Sequence, residues 1–272
     1  MKPSNYRLPL VVQMVLPDNY RHNQAFGQEL KLLQHFGFTG VELNIANVES
    51  VDMGTIQRFL SEYGLVMTMF ASGLAAKTHG LSLTSADAAI RSRSVEACLQ
   101  FIDFVQGHDV GVIIGFLKGA PAQDAGRAKS DFLASMDQIA AHARMKQVHV
   151  IIEATNRYES SVANTLEEAA QIVDLLDNPY LHILPDTFHM NIEEADMHAA
   201  LIAHQDKFIS VHISDNNRYY PGLGAIDFER FFQTMAAVGY NGPVAIEGNL
   251  RSSFSTDLHD SMAYLATILK KG

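Results

Sequence analysis

Apolar and polar positions follow one repeating order along this chain: a short apolar run, then a longer stretch with helical periodicity. The runs are rich in Val and Ile, as buried strands are. We predict eight strands, at residues 10–16, 40–43, 66–70, 110–115, 148–153, 182–185, 208–213 and 244–247. The intervening stretches predict amphipathic helices, several with Thr or Asp before them and Gly after, for example residues 25–37, 88–107, 165–177, 227–239 and 256–269.

Eight strands that alternate with helices are the element count of a (β/α)₈ TIM barrel. A doubly wound open sheet more often has fewer strands and a glycine-rich turn after the first strand. Here that turn reads MVLPDNYRHN, which has no G-x-G-x-x-G, and no P-loop pattern appears. The sequence therefore predicts an α/β fold, a single TIM-barrel domain over residues 1–272, without a dinucleotide cofactor.

Four potential metal ligands stand where predicted strands end. Glu153, Asp186 and Glu247 follow three apolar runs, and His212 lies within a fourth. The carboxyl ends of barrel strands converge on one face, where barrel enzymes build their active sites. An isolated acid at such a position is more often a helix N-cap or a rim charge. Four of them on consecutive strands instead favour one metal site, and an oxygen-rich set suits Mg²⁺ or Mn²⁺ better than structural zinc.

The same residues suggest a reaction. A divalent ion that chelates the carbonyl and adjacent hydroxyl of a ketose acidifies the carbon between them and stabilises the resulting enediolate. Glu153 and Glu247 come from the fifth and eighth strands, so they can approach that carbon from different sides. We expect one carboxylate to remove the proton and the other to return one.

Amino-acid composition limits the classes of binding partner that this chain can have. The chain has 20 basic and 30 acidic residues and a net charge of −10, which argues against nucleic-acid or anionic-membrane surfaces. The apolar stretch near the N-terminus is too short for a transmembrane helix and lacks a small-residue cleavage site. The single cysteine, Cys98, cannot form an intramolecular disulfide and lies in a helical apolar pattern. We expect a small-molecule enzyme of the cytoplasm.

Several segments carry a resemblance to a known family. They read IIEATNRYES, PDTFHMNIEEAD, VHISDNNRYYPGLGAIDFERF and VAIEGNL, with GLSLTS and VIIGFLKG earlier in the chain. The chain resembles the xylose isomerase-like sugar isomerases and epimerases, in particular the ketose 3-epimerase type, and among these the 5-keto-L-gluconate epimerase branch. The resemblance covers most of the chain. It implies an isomerase that epimerises a ketose or keto-aldonate, and a homodimer or homotetramer.

The resemblance also implies roles for residues. Glu153, Asp186, His212 and Glu247 match the family's ligands for one divalent ion (Mn²⁺, Mg²⁺ or Co²⁺), with Glu153 and Glu247 also the acid/base pair. Three further residues match substrate-binding positions, Glu159, His189 and Arg218. Each has a plainer interpretation: Glu159 could only support Arg157, His189 could be a structural histidine, and Arg218 could pair with a surface acid such as Asp215.

Two further cations are possible substrate ligands. Lys118 follows the fourth strand and Arg251 follows the eighth, so both could reach a carboxylate or phosphate at the mouth. A cationic rim would favour a keto-aldonate over a neutral ketose. The alternative is that both are solvated loop residues.

Other functions stay open at this point. An aldose–ketose isomerase, such as one acting on hydroxypyruvate, would use the same residues to move a proton between carbons one and two. Apurinic endonucleases share the barrel, but they need a DNA-binding face and more metal ligands than one site offers. A non-catalytic sugar-binding protein is the remote alternative, because an acid/base pair beside a metal has no use in simple capture.

Overall fold

In the computed structural model, residues 8–269 are described, and they form one eight-stranded parallel barrel surrounded by helices. The hydrogen-bonded strand order is β6-β5-β4-β3-β2-β1-β8-β7. Isolated parallel bridges, Ile183 to Phe208 and Asp186 to His212, join β6 to β7 across the remaining seam. The strands are β1 Leu10–Val15, β2 Gly40–Asn44, β3 Val66–Ala71, β4 Gly111–Ile114, β5 Val150–Glu153, β6 Leu181–Leu184, β7 Val211–Ile213 and β8 Val244–Ile246.

Helices cover the outside of the barrel. Ten α-helices are described: α1 Gln24–Phe36, α2 Met53–Ser61, α3 Gly73–His79, α4 Ala88–Val105, α5 Ala125–Lys146, α6 Leu166–Leu176, α7 Thr187–Glu193, α8 Met197–Ala203, α9 Phe228–Ala237 and α10 Phe254–Leu269. Short 3₁₀ turns lie at Tyr20–His22, Val48–Ser50 and Phe116–Lys118.

Local sequence explains where helices begin and end. The side chain of Asn23 accepts a hydrogen bond from the Phe26 N–H at the start of α1, and Thr165 accepts one from Glu168 at the start of α6. Gly37 ends α1 with φ of 79°, a left-handed conformation that glycine adopts without steric cost. Asn23 and Thr165 thus fix where their helices begin, and Gly37 ends α1 where the chain must turn back into the barrel.

The predicted TIM barrel is confirmed, and each predicted strand and helix has a counterpart. Five strands, β1, β4, β5, β7 and β8, are shorter than predicted. Gly115 leaves β4 with φ −110° and ψ −96°, and before β7 Phe208 makes only one isolated bridge. One helix after each strand would make eight helices, but the described part contains ten, because α3 precedes α4 and both α7 and α8 connect β6 to β7. The ends of the predicted domain, residues 1–7 and 270–272, lie outside the described residues.

Apolar side chains form two separate clusters. The larger lies between the barrel and its helices, whereas the small inner cluster contains Met69, Ile113, Ile151 and Leu184. Polar residues such as Glu42 and His212, both fully buried, occupy other positions along the strands. Burying charged groups is costly unless they have partners. The residue types at these positions therefore indicate a functional site. Within residues 8–269, the structure contains no helix long and apolar enough to cross a lipid bilayer.

Candidate metal centre

The four predicted ligands meet at the carboxyl end of the barrel. Glu153 is the last residue of β5, Asp186 lies two residues beyond β6, His212 is the middle residue of β7, and Glu247 directly follows β8. One potential ligand atom from each lies within 4.8 Å of all the others. The structure therefore brings together, from four adjacent strands, a set that could hold one metal ion.

His212 stands among the three carboxylates. Its Nδ1 atom lies 2.6 Å from Glu247 Oε2, 3.7 Å from Glu153 Oε1 and 3.8 Å from Asp186 Oδ2. Burial acts to lower the pKa of this imidazole, but Glu42 and Glu247 outweigh it and raise the pKa well above its usual value. The cluster thus attracts positive charge, which a divalent cation would supply.

Asp186 combines two tasks. Its Oδ1 atom accepts hydrogen bonds from the Phe188 and His189 N–H groups and so caps α7, while Oδ2 faces the cluster and Arg218. The plainer interpretation of this residue as a helix N-cap is therefore correct, and it does not exclude a ligand role. Because the cap fixes the carboxylate plane, Oδ2 is held in place at no further entropic cost.

Arg218 lies against the same carboxylates. Its Nη1 atom is 2.6 Å from Asp186 Oδ2 and its Nη2 atom 2.9 Å from Glu247 Oε2. Its guanidinium carbon lies 5.0 Å from the ring centroid of Phe188, a cation–π contact. Its backbone φ of 64° is unusual for a residue with a side chain, which indicates that surrounding contacts enforce this conformation.

The alternative pairing of Arg218 with Asp215 does not occur. The Asp215 carboxylate instead accepts backbone N–H groups from Gly222, Gly224 and Ile226, which folds the loop after β7. Burial acts to raise the pKa of the Glu247 carboxyl, but Arg218 and His212 together hold it below its usual range. Glu247 is therefore an anion at neutral pH.

One buried oxygen in the cluster has no hydrogen-bond partner. Glu153 Oε1 is fully inaccessible and lacks a donor, and unsatisfied buried carboxylate atoms are expensive. The other oxygen, Oε2, has room only because residue 115 is glycine, since a Cβ atom there would lie 1.9 Å from it. A cation at the centre of the cluster would satisfy Oε1, so the residues present fit a divalent ion.

A second network surrounds His189. The Asn156 side-chain amide donates to His189 Nδ1 at 2.8 Å and to Glu159 Oε1 at 3.0 Å. With Nδ1 as an acceptor, the ring carries its proton on Nε2, which lies 3.6 Å from Glu153 Oε1. The structure therefore places His189 beside the cluster, and it places Glu159 further from the cluster, on the other side of Asn156. Arg157 pairs with Glu193 and not with Glu159.

A cleft of about 450 Å³ opens over the cluster. Glu153, Glu247, His189, Arg218 and Glu159 all line it. The remaining polar lining comes mainly from residues that the sequence reasoning did not select: Gln13, Asn44, Ser72, Lys77, Thr155 and Asn249. The volume and the many hydrogen-bonding groups suit a polar molecule the size of a monosaccharide.

The expected position of Lys118 at the mouth is wrong. The 3₁₀ turn after β4 directs this side chain inward, where it is fully buried and donates to the carbonyl oxygens of Glu153 at 2.7 Å and Ala163 at 2.8 Å. Burial lowers the pKa of its ammonium group to about 7. Lys118 therefore supports the main chain beneath the site and cannot reach a substrate in the cleft.

Arg251 also lies elsewhere than expected. Its side chain is half exposed, and its guanidinium lies 3.3 Å from Asp260 on α10. It does not belong to the residues that line the cleft. The loop after β8 turns outward because Asp257 accepts the backbone N–H groups of Arg251 and Ser252. The alternative interpretation, a solvated loop residue, describes it better.

Besides those six lining residues, sequence reasoning missed two residues that organise the site. Glu42, in β2, lies 2.8 Å from His212 Nε2, and Asn156 organises His189 and Glu159. The signal for Glu42 was an acid within an otherwise apolar strand, GVELN. Asn156 follows Glu153 in a polar loop, and nothing in that pattern distinguishes it from a turn residue.

Comparison with known proteins identifies the family of this chain. Residues 30–268 match the model of a family described as the xylose isomerase-like TIM barrel. The chain is 33% identical over 228 residues to a ketose 3-epimerase of Arthrobacter globiformis, covering 82% of this chain and 77% of that protein. It is 39% identical over 139 residues to the 3-dehydro-D-guloside 4-epimerase of Escherichia coli strain K12, covering 51% of this chain and 52% of that protein.

A solved structure shows the same fold. The D-allulose 3-epimerase of Methylomonas sp. superposes with a TM-score of 0.78 at 22% identity, covering 96% of this chain and 98% of that one. At this identity the similarity concerns the fold alone. The fold supplies the carboxyl-terminal barrel face on which the four-residue cluster lies.

Proposed function

The chain belongs to the xylose isomerase-like TIM barrel family and is a sugar epimerase, and we propose that it inverts a carbon beside the ketone of a ketose or keto-aldonate with one divalent metal ion. The observation that carries the metal-dependent part is the cluster of Glu153, Asp186, His212 and Glu247, whose ligand atoms lie within 4.8 Å of one another. The unpartnered Glu153 Oε1 atom supports a cation at its centre. The donor set suits Mn²⁺, Mg²⁺ or Co²⁺.

The proposed acid/base pair is Glu153 and Glu247. Both carboxylates line the cleft, and they come from β5 and β8, on either side of the two strands that contribute Asp186 and His212. A substrate carbon between them would present one face to each carboxylate. One glutamate removes the proton, and the other delivers a proton to the opposite face, which inverts the stereocentre.

The surrounding residues hold the substrate and its charge. The four-residue cluster would hold the divalent ion, and the ion would polarise the ketone and offset the negative charge that develops as the adjacent carbon loses its proton. His189 presents Nε2–H towards Glu153 and can donate to a substrate oxygen there. Arg218 retains N–H groups beyond those directed at Asp186 and Glu247, and we propose that these bind the substrate's polar end. Glu159 would contact an outer hydroxyl.

Proton NMR in D₂O tests this function. We would load the full chain with Mn²⁺ or Mg²⁺, incubate it with a panel of ketoses and keto-aldonates that includes 5-keto-L-gluconate, quench, remove the metal and record spectra. Deuterium at a carbon beside the ketone together with a new diastereomer is the expected result. Aldehyde formation with exchange at carbon one would identify an aldose–ketose isomerase instead. Binding without any exchange would support a non-catalytic sugar-binding protein.

The keto-aldonate part of the proposal depends on positive charge in the cleft. With Lys118 and Arg251 elsewhere, Lys77 and Arg218 are the lysine and arginine that line it. Arg218 is paired with two carboxylates, whereas Lys77 is exposed and forms no ion pair with any residue of the described range 8–269. Lys77 on α3 is therefore the available partner for a substrate carboxylate.

Lys77→Met is expected to raise KM for a keto-aldonate roughly fivefold, the effect of losing one solvent-exposed ion pair. KM for a neutral ketose should change less than about twofold, because no substrate charge is involved. Steady-state kinetics with both substrates would measure the difference. Lys31→Met, an exposed lysine on α1, is the matched control. An equal change for both substrates would contradict recognition of a carboxylate by Lys77.

Three expectations stay predictions. They are the extent of the single domain over residues 1–272, the cytoplasmic location and the homodimer or homotetramer. Cys98 is buried, and burial raises the pKa of its thiol, so this thiol is unreactive. Four exposed apolar side chains follow or end strands at the rim of the barrel and could contribute to an interface: Val15, Phe116, Tyr158 and Leu250.

A further inference from the structure

Glu42 is a buried acid that the proposed reaction does not use. It lies in the middle of β2, is fully inaccessible, and points towards the barrel interior next to Met69 of β3. The pairing of β2 with β3 shifts register between Val41 and Glu42, where β3 accommodates one extra residue, Thr68. Bulges of this kind often occur beside active sites, where they direct a side chain to a particular face.

The carboxylate of Glu42 has a specific partner. Its Oε2 atom lies 2.8 Å from His212 Nε2, and both side chains are fully buried. Its other contacts are longer: Ser210 Oγ is 3.4 Å from Oε1, and Gln13 Nε2 is 3.4 Å from Oε2. The contact with His212 is therefore the dominant interaction of this acid.

The two ring nitrogens of His212 face different groups. Nδ1 faces Glu153, Asp186 and Glu247, whereas Nε2 faces Glu42 on the opposite edge of the ring. A metal ligand must offer a lone pair, so a ring that binds through Nδ1 has its proton on Nε2. Glu42 is in position to accept that N–H hydrogen bond.

We propose that Glu42 is a positioning residue, which fixes the orientation and the tautomer of His212 so that Nδ1 is presented to the metal ion. The imidazole could otherwise rotate about its side-chain bonds or direct Nε2–H into the cluster. Partners of this kind on the far side of a metal-bound histidine raise the basicity of the ligand, and their loss typically costs about 10- to 100-fold in metal affinity. The proposal rests on the proposed metal site but not on the proposed substrate.

Mn²⁺ titration followed by EPR tests the proposal without any substrate. With the full chain freed of metal, we expect Glu42→Ala to raise the Mn²⁺ dissociation constant about 10- to 100-fold over the unchanged protein. Glu42→Gln keeps an acceptor oxygen at nearly the same place, so its loss of affinity should be smaller, more than about twofold but below about tenfold. Ser210→Ala removes a neighbour of Glu42 for which the described residues show no side-chain hydrogen bond to His212, and it should change the dissociation constant less than about threefold.

Thermal unfolding of the metal-free variants separates positioning from a merely structural role. If Glu42→Ala and Glu42→Gln unfold at lower temperature but bind Mn²⁺ within about twofold of the unchanged protein, the proposal is overturned. If the alanine variant does not fold, the nearly isosteric glutamine variant decides by the same criterion. Failure of the unchanged protein to bind any divalent ion would overturn the metal site and, with it, this role. Normal Mn²⁺ binding without epimerase activity would contradict only the proposed reaction.

Discussion

Replacing either Glu153 or Glu247 by glutamine is expected to abolish epimerisation, with kcat reduced by roughly 10²- to 10⁴-fold or more. Glutamine has nearly the same shape and keeps a carbonyl oxygen that can still face a cation, but it cannot accept or deliver the proton. Substrate affinity should be retained in part, because His189, Arg218 and Glu159 still line the cleft. Turnover is measured by NMR in D₂O, and Mn²⁺ binding by EPR on the same samples.

The matched control is Glu167→Gln. Glu167 lies on α6, is largely exposed and pairs with His204, and neither residue lines the cleft. The kcat of this variant should stay within about twofold of the value for the unchanged protein, since exposed ion pairs contribute little. Near-normal turnover of Glu153→Gln or Glu247→Gln would show that the two-glutamate mechanism is wrong. If one variant still exchanges the proton of a single epimer, that epimer identifies the face served by the remaining glutamate.

Removal of the divalent ion by a chelator is expected to lower activity at least about 100-fold, because stabilising the charge on a carbonyl oxygen is worth several kcal/mol. Activity should return when Mn²⁺, Mg²⁺ or Co²⁺ is added, and the three should differ in efficiency.

Metal content by elemental analysis and activity are measured on the same sample. A chelator already saturated with the same divalent ion as the protein is the control, since it should not remove the ion. Full activity in protein that contains less than about one tenth of an equivalent of metal would exclude a metal-dependent reaction. Activity restored by the ion and lost again on a second chelation would tie the effect to a reversible site.

Much of the site followed from the sequence because strand ends in a barrel converge. Glu153, Asp186, His212 and Glu247 could be selected from local apolar runs, and the structure brings all four together. Lys118 could not be placed in this way. Whether the Lys118 side chain points inward or outward after β4 depends on the 3₁₀ turn at Phe116–Lys118 and on carbonyl acceptors from other segments.

Hydrophobic periodicity is a local property of the chain, so the alternation of strands and helices and the approximate ends of the strands could be predicted from the sequence. The contacts between side chains could not. Glu42 and His212 are 170 residues apart, and their contact depends on strand order, on register and on the extra residue in β3. Hydrogen bonds and ion pairs act over a few ångströms, so the partner of a buried polar group is set by the packing of distant segments, which no local pattern records.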